Sequence, residues 1–239
     1  MLLEQIHEIH GASRGVYGSP RIHAGLRQRG LQVGRKRVVR LMQVDGIRGR
    51  SADLYYANPG LERHYTEIPN RKEKRTVTAP DQIWSGDITY LKLGSQWLYL
   101  AVVMDLFSRR VVGWALGRNK TAALTLKALN QAIRTRQPAK GIIFHSDRGA
   151  EYAAFAYRDR LASAGFLQGM NRPRTMTDNA HMESFFHSMK SDVVHRRSFR
   201  QHDDYARMVR SYMPFYNNVR LHSALGYCSP ANYELRHAT

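Results

Sequence analysis

Residues 82–116 read QIWSGDITYLKLGSQWLYLAVVMDLFSRRVVGWAL. The stretch contains three runs rich in β-branched and aromatic residues, QIWSGDITYLKL, WLYLAVVMDL and RRVVGWAL, and the polar segment GSQ marks the first break. Such runs with short polar breaks are typical of strands that are joined by tight connections. The stretch therefore predicts three consecutive antiparallel strands.

The residues that follow these strands extend the pattern. Thr121 to Arg134 has apolar residues near helical spacing, with Thr121 as a possible N-cap. A buried strand, GIIFHS at 141–146, comes next, then a helix around 152–164 and a short strand near 165–170. Further helices complete the chain. This order predicts an α/β fold, a ribonuclease-H-like mixed five-stranded sheet with flanking helices.

A small helical region precedes the sheet. Residues 17–49 read as two helices around a turn, since Pro20 can open the first helix and Gly30 and Gly34 bracket the break. In the second helix Val38, Leu41 and Met42 form an apolar stripe, and four basic residues project from the remaining surface: Arg35, Lys36, Arg37 and Arg40. This arrangement is typical of a helix-turn-helix unit that contacts DNA. A helical pair with a solvated basic face fits the spacing equally well.

Changes in composition along the chain predict three regions. Residues 1–52 form the helical DNA-binding region. Residues 53–79 form a linker, because they are rich in charge and proline and lack sustained periodicity. Residues 80–239 form the ribonuclease-H-like α/β region with a C-terminal tail.

Charge and cysteine content narrow the class of protein. The formal net charge is +18, from 37 Lys and Arg against 19 Asp and Glu, which favours a polyanionic partner such as nucleic acid. Ribosomal and membrane-surface proteins can be equally basic. The single cysteine excludes an intrachain disulfide and a cysteine-based zinc cluster. No apolar run approaches membrane-spanning length, so we expect a cytoplasmic, nucleoid-associated protein without a membrane partner.

Two aspartates occupy strand positions where a lone carboxylate is costly. Asp87 lies inside the first strand, among apolar and aromatic neighbours in WSGDITYL. A buried carboxylate in such surroundings needs a compensating partner. Asp147 follows the apolar strand GIIFHS, at a carboxyl end, where ligand sites of α/β sheets tend to lie.

A third carboxylate belongs to a predicted helix from Asn179 to about His195, whose N-terminus Asp178 would favour. An apolar stripe faces the sheet and consists of Met182, Phe186, Met189 and Val193. The adjacent polar face carries Glu183, His187 and Lys190. From spacing alone, a surface helix solvated by Glu and Lys is an equally good interpretation.

Four ordered motifs resemble those of one family of proteins. WSGDITYL, HSDRGAEY, DNAHMESFFHSMK and YNNVRLHSALGYCSP are similar to catalytic-core motifs of IS-three family insertion-sequence transposases, in the second-reading-frame product, which are relatives of retroviral integrases. Asp147 and Glu183 are separated by 35 residues, the spacing expected for that group. The likeness runs from about Tyr17 to Tyr233.

The resemblance implies a metal-dependent DNA-strand-transfer enzyme. Asp87, Asp147 and Glu183 would form its catalytic triad and hold two Mg²⁺ ions, for which Mn²⁺ can substitute, because hard cations prefer oxygen ligands. Two such ions assist in-line displacement at phosphorus. Lys190 resembles the residue that family members place against the DNA backbone. His187 and Arg148 are further expected DNA contacts, and His145 is expected to shape the site.

The resemblance also implies partners and leaves alternatives. We expect double-stranded DNA at the element ends and in the target, a homo-oligomer on DNA, and a further product of an upstream reading frame, because Met1 lies close to the YGSPR segment. End recognition would then depend on that upstream sequence. A non-catalytic DNA-binding regulator of transposition and a nuclease for RNA–DNA hybrids are the alternative functions.

Overall fold

The computed structural model describes residues 2–12, 17–48, 68–73, 75–172, 179–195 and 198–237. The chain divides into two compact units, Met1–Arg63 and His64–Thr239. Most of the predicted linker lies outside the described residues. In the part of the chain that is described, no helix combines the length and the apolar character of a membrane span.

The first unit is built from three helices, α1 (Leu2–Ala12), α2 (Ser19–Gln28) and α3 (Arg35–Val44). As predicted, Pro20 lies in the first turn of α2 and Gly34 is the N-cap of α3. All three helices contribute to one small core, formed by Ile6, Ile9, Ile22, Leu26, Val38 and Met42. The sequence pattern did not predict α1, although Ile6 and Ile9 supply a third of that core.

The second unit is built around a five-stranded sheet of order β3-β2-β1-β4-β5. Its strands are β1 (Ile83–Leu93), β2 (Gln96–Asp105), β3 (Val111–Gly117), β4 (Ile143–Ser146) and β5 (Leu167–Met170). The first three strands are antiparallel, as predicted, whereas β4 pairs in parallel with β1 and β5 pairs in parallel with β4. Gly94, with φ of 57°, begins the two-residue turn between β1 and β2.

The helix α4 (Ala122–Arg136) crosses one face of the sheet and joins β3 to β4. Its close approach depends on Gly113 in β3, because a Cβ at this position would lie 2.2 Å from the backbone oxygen of Ala128. The helix predicted around 152–164 is two helices, α5 (Ala150–Ala153) and α6 (Phe155–Ser163). Extended backbone at Ala154, with ψ of 139°, separates them.

The other face of the sheet is covered by α7 (Ala180–Met189) and α8 (His202–Asn218). A π-helical segment, Lys190–Val194, continues α7. The main core lies between these helices and strands β1 to β3, and it includes Leu100, Val102 and Met104 on the sheet side. Of the apolar stripe predicted on α7, Met182, Phe186 and Met189 are buried, and Val193 packs partly buried against the same core.

The C-terminal helix α9 (Pro230–Arg236) is tied to the sheet by an ion-pair network. Its residue Glu234 accepts hydrogen bonds from Arg110, at 2.6 Å, and from Arg136, at 2.9 Å. The hydroxyl of Ser108, which follows β2, donates to the same carboxylate at 2.8 Å. Because this carboxylate is buried and paired with two arginines, the network anchors α9 to the rest of the second unit.

Candidate active site

Asp87 and Asp147 lie next to each other in the sheet because β1 and β4 are parallel neighbours. Gly86 of β1 is in register with Ser146, the last residue of β4. The residues that follow this pair are therefore Asp87, inside the longer strand, and Asp147, at the carboxyl end of the shorter one. Strand ends of this kind leave side chains free to bind ligands.

The environment of Asp87 disfavours its negative charge. Partial burial raises the pKa of Asp87 to about 7, and the negative charges of Asp147 and Glu183 also raise it. Two groups lower the pKa of this carboxyl: the backbone N–H of Ile88, which donates to Oδ1 at 2.7 Å, and the ammonium group of Lys120. Carboxylates crowded together in this way are typical of sites that bind cations.

Asp147 experiences a similar environment. Burial raises the pKa of Asp147, and the charge of Glu151 acts in the same direction. The backbone N–H of Gly149 donates to Oδ1 of Asp147 at 3.0 Å and lowers that pKa, as does Lys120. This hydrogen bond holds the carboxylate in a fixed orientation in the turn after β4.

The helix α7 carries Glu183 close enough to Asp87 for its charge to raise the pKa of that carboxyl. Glu183 and His187 are exposed on the helix face adjacent to the buried stripe, as predicted. Lys190, partly buried at the start of the π-helical segment, lies close enough to Asp87 for the carboxylate charge to oppose the lowering of its pKa by burial. Glu183 and Lys190, on the polar face predicted for α7, therefore both interact electrostatically with Asp87. The predicted N-terminal role of Asp178 falls on a residue outside the described ranges.

Two charged residues near the aspartates received no role from the sequence, Lys120 and Glu151. Nζ of Lys120, just before α4, lies 3.4 Å from Oε1 of Glu151 in α5. Both side chains act on the pKa of Asp147. The only sequence signal was the position of Glu151 in HSDRGAEY, four residues after Asp147. Lys120 has no such signal, because the fold alone brings it there.

The remaining predicted site residues lie in different places. His145 is buried and its Nε2 contacts Oδ1 of Asn171 at 2.7 Å, which fits a shaping role. Nε of Arg148 donates to the backbone oxygen of Asn171 at 2.7 Å. The four basic residues of α3 are all exposed: Arg35, Lys36, Arg37 and Arg40. Their contact with DNA stays a prediction.

The carboxylates fit a hard divalent cation by chemistry and charge. They supply oxygen donors, and the raised pKa of Asp87 reflects burial first and then the neighbouring negative charges of Asp147 and Glu183. Within the described ranges, however, no three His, Cys, Asp or Glu side chains are close enough together to enclose a metal ion. Asp87 and Asp147 each accept a backbone N–H hydrogen bond on Oδ1, which leaves the other lone pairs of each carboxylate for a cation.

Solved structures share this fold. The HTLV-2 integrase catalytic core domain in complex with magnesium matches with a TM-score of 0.54 and 16% identity, over 66% of this chain and 99% of that one. A simian T-cell lymphotropic virus intasome in complex with PP2A regulatory subunit B56 gamma matches with a TM-score of 0.56 and 16% identity, over 96% of this chain and 74% of that one. The predicted ribonuclease-H-like architecture, the fold of integrase cores, is thereby confirmed.

Family comparisons cover both units of the chain. Residues 1–52 match the family described as HTH-like domain, and residues 77–176 and 165–230 match two families described as Integrase core domain. A Shigella sonnei protein, Insertion element IS600 uncharacterized 31 kDa protein, is 35% identical over 96% of this chain and 85% of its own length.

Two relatives are named as transposases. The transposase for insertion sequence element IS904 of Lactococcus lactis is 31% identical, over 98% of this chain and 93% of its own length. Transposase InsF for insertion sequence IS3A of Escherichia coli is 34% identical, over 93% of this chain and 78% of its own length. At this identity and coverage, the chain belongs to the IS-three family of insertion-sequence transposases, with an HTH-like domain and an integrase core.

Proposed function

We propose that the chain is a DDE-type polynucleotidyl transferase that cleaves phosphodiester bonds at the ends of an insertion element and joins those ends to target DNA. The observation that carries the proposal is the register of β1 with β4, which sets Asp87 beside Asp147, and the charge of Glu183 on α7 also raises the pKa of Asp87. Such convergence of carboxylates in a basic protein suits chemistry on a polyanion.

Asp87, Asp147 and Glu183 would hold Mg²⁺, or Mn²⁺ in its place, with two ions per site by analogy with the family. When bound, such ions make an attacking oxygen more reactive and stabilise the leaving oxygen of an in-line displacement. The donor set supports this assignment, since all three side chains present carboxylate oxygens. One structure that shares the fold, the HTLV-2 integrase catalytic core domain, is described as a complex with magnesium.

Two successive displacements would complete the reaction. In the first, a water oxygen attacks phosphorus at the element end, and the bond to the departing 3′-oxygen breaks. In the second, the released 3′-hydroxyl attacks a phosphate of the target DNA, so that one phosphodiester bond replaces another. Lys190, whose pKa is influenced by the charge of Asp87, would bind a non-bridging phosphate oxygen during both steps.

Double-stranded DNA is the proposed substrate, and we propose that the chain works as a homo-oligomer assembled on it. The net charge of +18 and the HTH-like unit support DNA binding. A structural relative described as an intasome supports assembly. The product of an upstream reading frame remains a proposed partner for recognition of the element ends.

Neutral isosteres of the three carboxylates test the proposal. We expect Asp87→Asn, Asp147→Asn and Glu183→Gln each to abolish Mg²⁺-dependent nicking of duplex oligonucleotides, because each substitution keeps the shape and removes the charge. DNA affinity, measured by fluorescence anisotropy, should stay near that of the wild type. Asp203→Asn, a change at an exposed carboxylate of α8, is the matched control and should nick normally.

Three outcomes would contradict the proposal. Near wild-type nicking by any one of the three variants would remove that residue from the site. Efficient cleavage of RNA–DNA hybrids with no cleavage of duplex DNA ends would instead indicate a ribonuclease. A wild-type chain that binds DNA but shows no nicking in Mg²⁺ or Mn²⁺ would favour the non-catalytic regulator.

A further inference from the structure

Lys120 is enclosed by groups that attract a positive charge. Its Nζ lies 3.4 Å from Oε1 of Glu151 and 5.9 Å from the centroid of the Tyr90 ring. An ammonium group at this distance from an aromatic face is attracted to it. The side chain is 31% exposed, so the long flexible lysine is held between two elements and does not extend freely into water.

Glu151 orients Lys120 and also faces Asp147. The Glu151 side chain is only 11% exposed, and its Oε2 is buried without a hydrogen-bond partner among the described residues. A Cβ at Gly149 would lie 2.7 Å from this Oε2 and 3.0 Å from Oδ1 of Asp147. The two carboxylate oxygens therefore border the same space beside Gly149, where a buried oxygen without a hydrogen bond is costly unless a cation is near.

The charge of Lys120 reaches both proposed metal-binding aspartates. It lowers the pKa of Asp87 and the pKa of Asp147. In return, the negative charges of Glu151 and Asp147 act to raise the pKa of Lys120. Lys120 thus compensates part of the negative charge for which a divalent cation would otherwise be the main partner.

We propose that Lys120 is an internal counter-ion of the carboxylate cluster, held in place by Glu151, and that this pair sets the affinity of the cluster for divalent cations. Both are positioning residues, because they act through Asp87 and Asp147. The inference rests on the proposed function for the identity of the site. The charge interactions of Lys120 and Glu151 with the aspartates do not depend on that identity, because the structure itself brings these residues together.

The two members of the pair have opposite charges, so their removal should shift metal affinity in opposite directions. Lys120→Met removes a positive charge and should tighten binding of Mn²⁺ by roughly threefold or more, since even a water-like dielectric leaves a measurable interaction at several ångströms. Glu151→Gln removes a negative charge and should weaken binding by a similar factor. The double variant should lie near the wild type.

Isothermal titration of the full chain with Mn²⁺, in the absence of DNA, measures these shifts. Lys127→Met, at an exposed lysine of α4, and Glu8→Gln, at an exposed glutamate of α1, are matched controls and should leave the affinity unchanged. Opposite shifts in the two test variants would support the inference. Unchanged affinity in Lys120→Met, or weaker binding in both variants, would overturn it and leave the pair with a packing role.

A thermal melt in EDTA separates this inference from the proposed function. If the wild type binds no Mn²⁺, the proposed metal site fails, and the counter-ion role is decided by stability without metal. Lys120→Met should then lower Tm in the wild-type background by more than in the Asp87→Asn background, because the neutral amide no longer needs a counter-ion. Equal losses of Tm in both backgrounds would overturn the counter-ion role.

Discussion

Burial and the negative charges of two neighbouring carboxylates both raise the pKa of the Asp87 carboxyl. The pKa of this carboxyl is about 7 in the folded chain and 3.8 in an ordinary environment. Between pH 4 and pH 7 the folded chain therefore holds a proton that the unfolded chain has lost. The contribution of Asp87 to the free energy of unfolding is therefore fully present below pH 4, and it is lost as the pH rises through 7.

Asp87→Asn should consequently stabilise the metal-free protein at high pH. The amide cannot ionise, so above pH 7 the variant avoids a cost of at most about 4 kcal/mol, the equivalent of the raised pKa. In EDTA at pH 8 its Tm should exceed that of the wild type by several degrees. The difference should shrink at pH 5 and vanish near pH 4.

Asp203→Asn, at an exposed carboxylate, provides the control and should show no such trend. Equal Tm values for Asp87→Asn and the wild type at pH 8 would mean that the Asp87 carboxylate is well solvated. The assignment of Asp87 to a crowded acidic site would then lose its electrostatic basis.

Sequence reasoning at the residue scale could single out a residue where it lies inside a regular pattern. Asp87 interrupts an apolar strand and Asp147 ends another, so both were recognisable as costly carboxylates, and the family motifs added Glu183. Lys120 and Glu151 neither interrupt nor end an apolar strand, so no such pattern singled them out. Their proximity depends on how α4 and α5 pack against the sheet, which local patterns do not specify.

At the scale of the element, one face of α7 packs in the core and another face carries the exposed polar side chains. Phe185 and Phe186 are buried in the main core and contact each other edge to face, with ring centroids 5.2 Å apart. Glu183 and His187 remain exposed on the adjacent face. A rigid helix of this kind fixes the position of Glu183 through packing that lies on its other face.

Substitutions on the two faces of α7 should therefore have different consequences. Phe186→Ala should lower the free energy of unfolding by roughly 3–5 kcal/mol, because it leaves a cavity in the core. Lys190→Ala should reduce DNA affinity or strand transfer. It should lower the free energy of unfolding by only about 1 kcal/mol or less, since the charge is only partly buried. Urea denaturation alongside strand-transfer assays measures both effects.

A Lys190→Ala variant that unfolds early, or a Phe186→Ala variant with normal stability, would contradict the observed orientation of α7. The approach of Glu183 to Asp87 would then be in doubt as well. Glu8→Gln, in the separate first unit, is a control expected to change neither quantity.

Helices were predicted from sequence to different degrees, for physical reasons. The apolar spacing of α7 and the Pro and Gly signals around α2 and α3 identified those helices. Helix α1 was missed, and α8 was not placed, although its buried face includes Tyr205, Tyr212 and Tyr216. Pro214 inside α8 and the polar aromatic residues obscured a pattern that only packing against the sheet makes apparent.

At the scale of the whole molecule, basic residues are distributed over both units and exposed on α3. The four basic side chains of α3 lie on the surface opposite Val38 and Met42, which are buried. Sequence predicted this amphipathic helix, because a one-sided apolar stripe leaves the charges to solvent. It did not distinguish a DNA-binding face from a solvated one, since both present the same charges to water.

The dependence of DNA affinity on salt makes that distinction. Each phosphate neutralised by the protein releases counterions, so log K should fall linearly with log salt, with a slope of about −0.9 per contact. If Arg37 and Arg40 each bind a phosphate, the variant Arg37→Ala/Arg40→Ala should have a slope shallower by about 1.8. The pair Lys127→Ala/Arg158→Ala, which removes the same charge from exposed positions of the catalytic unit, is the matched control.

Fluorescence anisotropy with a duplex oligonucleotide at several salt concentrations gives both slopes. A control slope that falls as much as the test slope would show that DNA senses only the net charge of +18, and the basic surface of α3 would then be a solvated helix face.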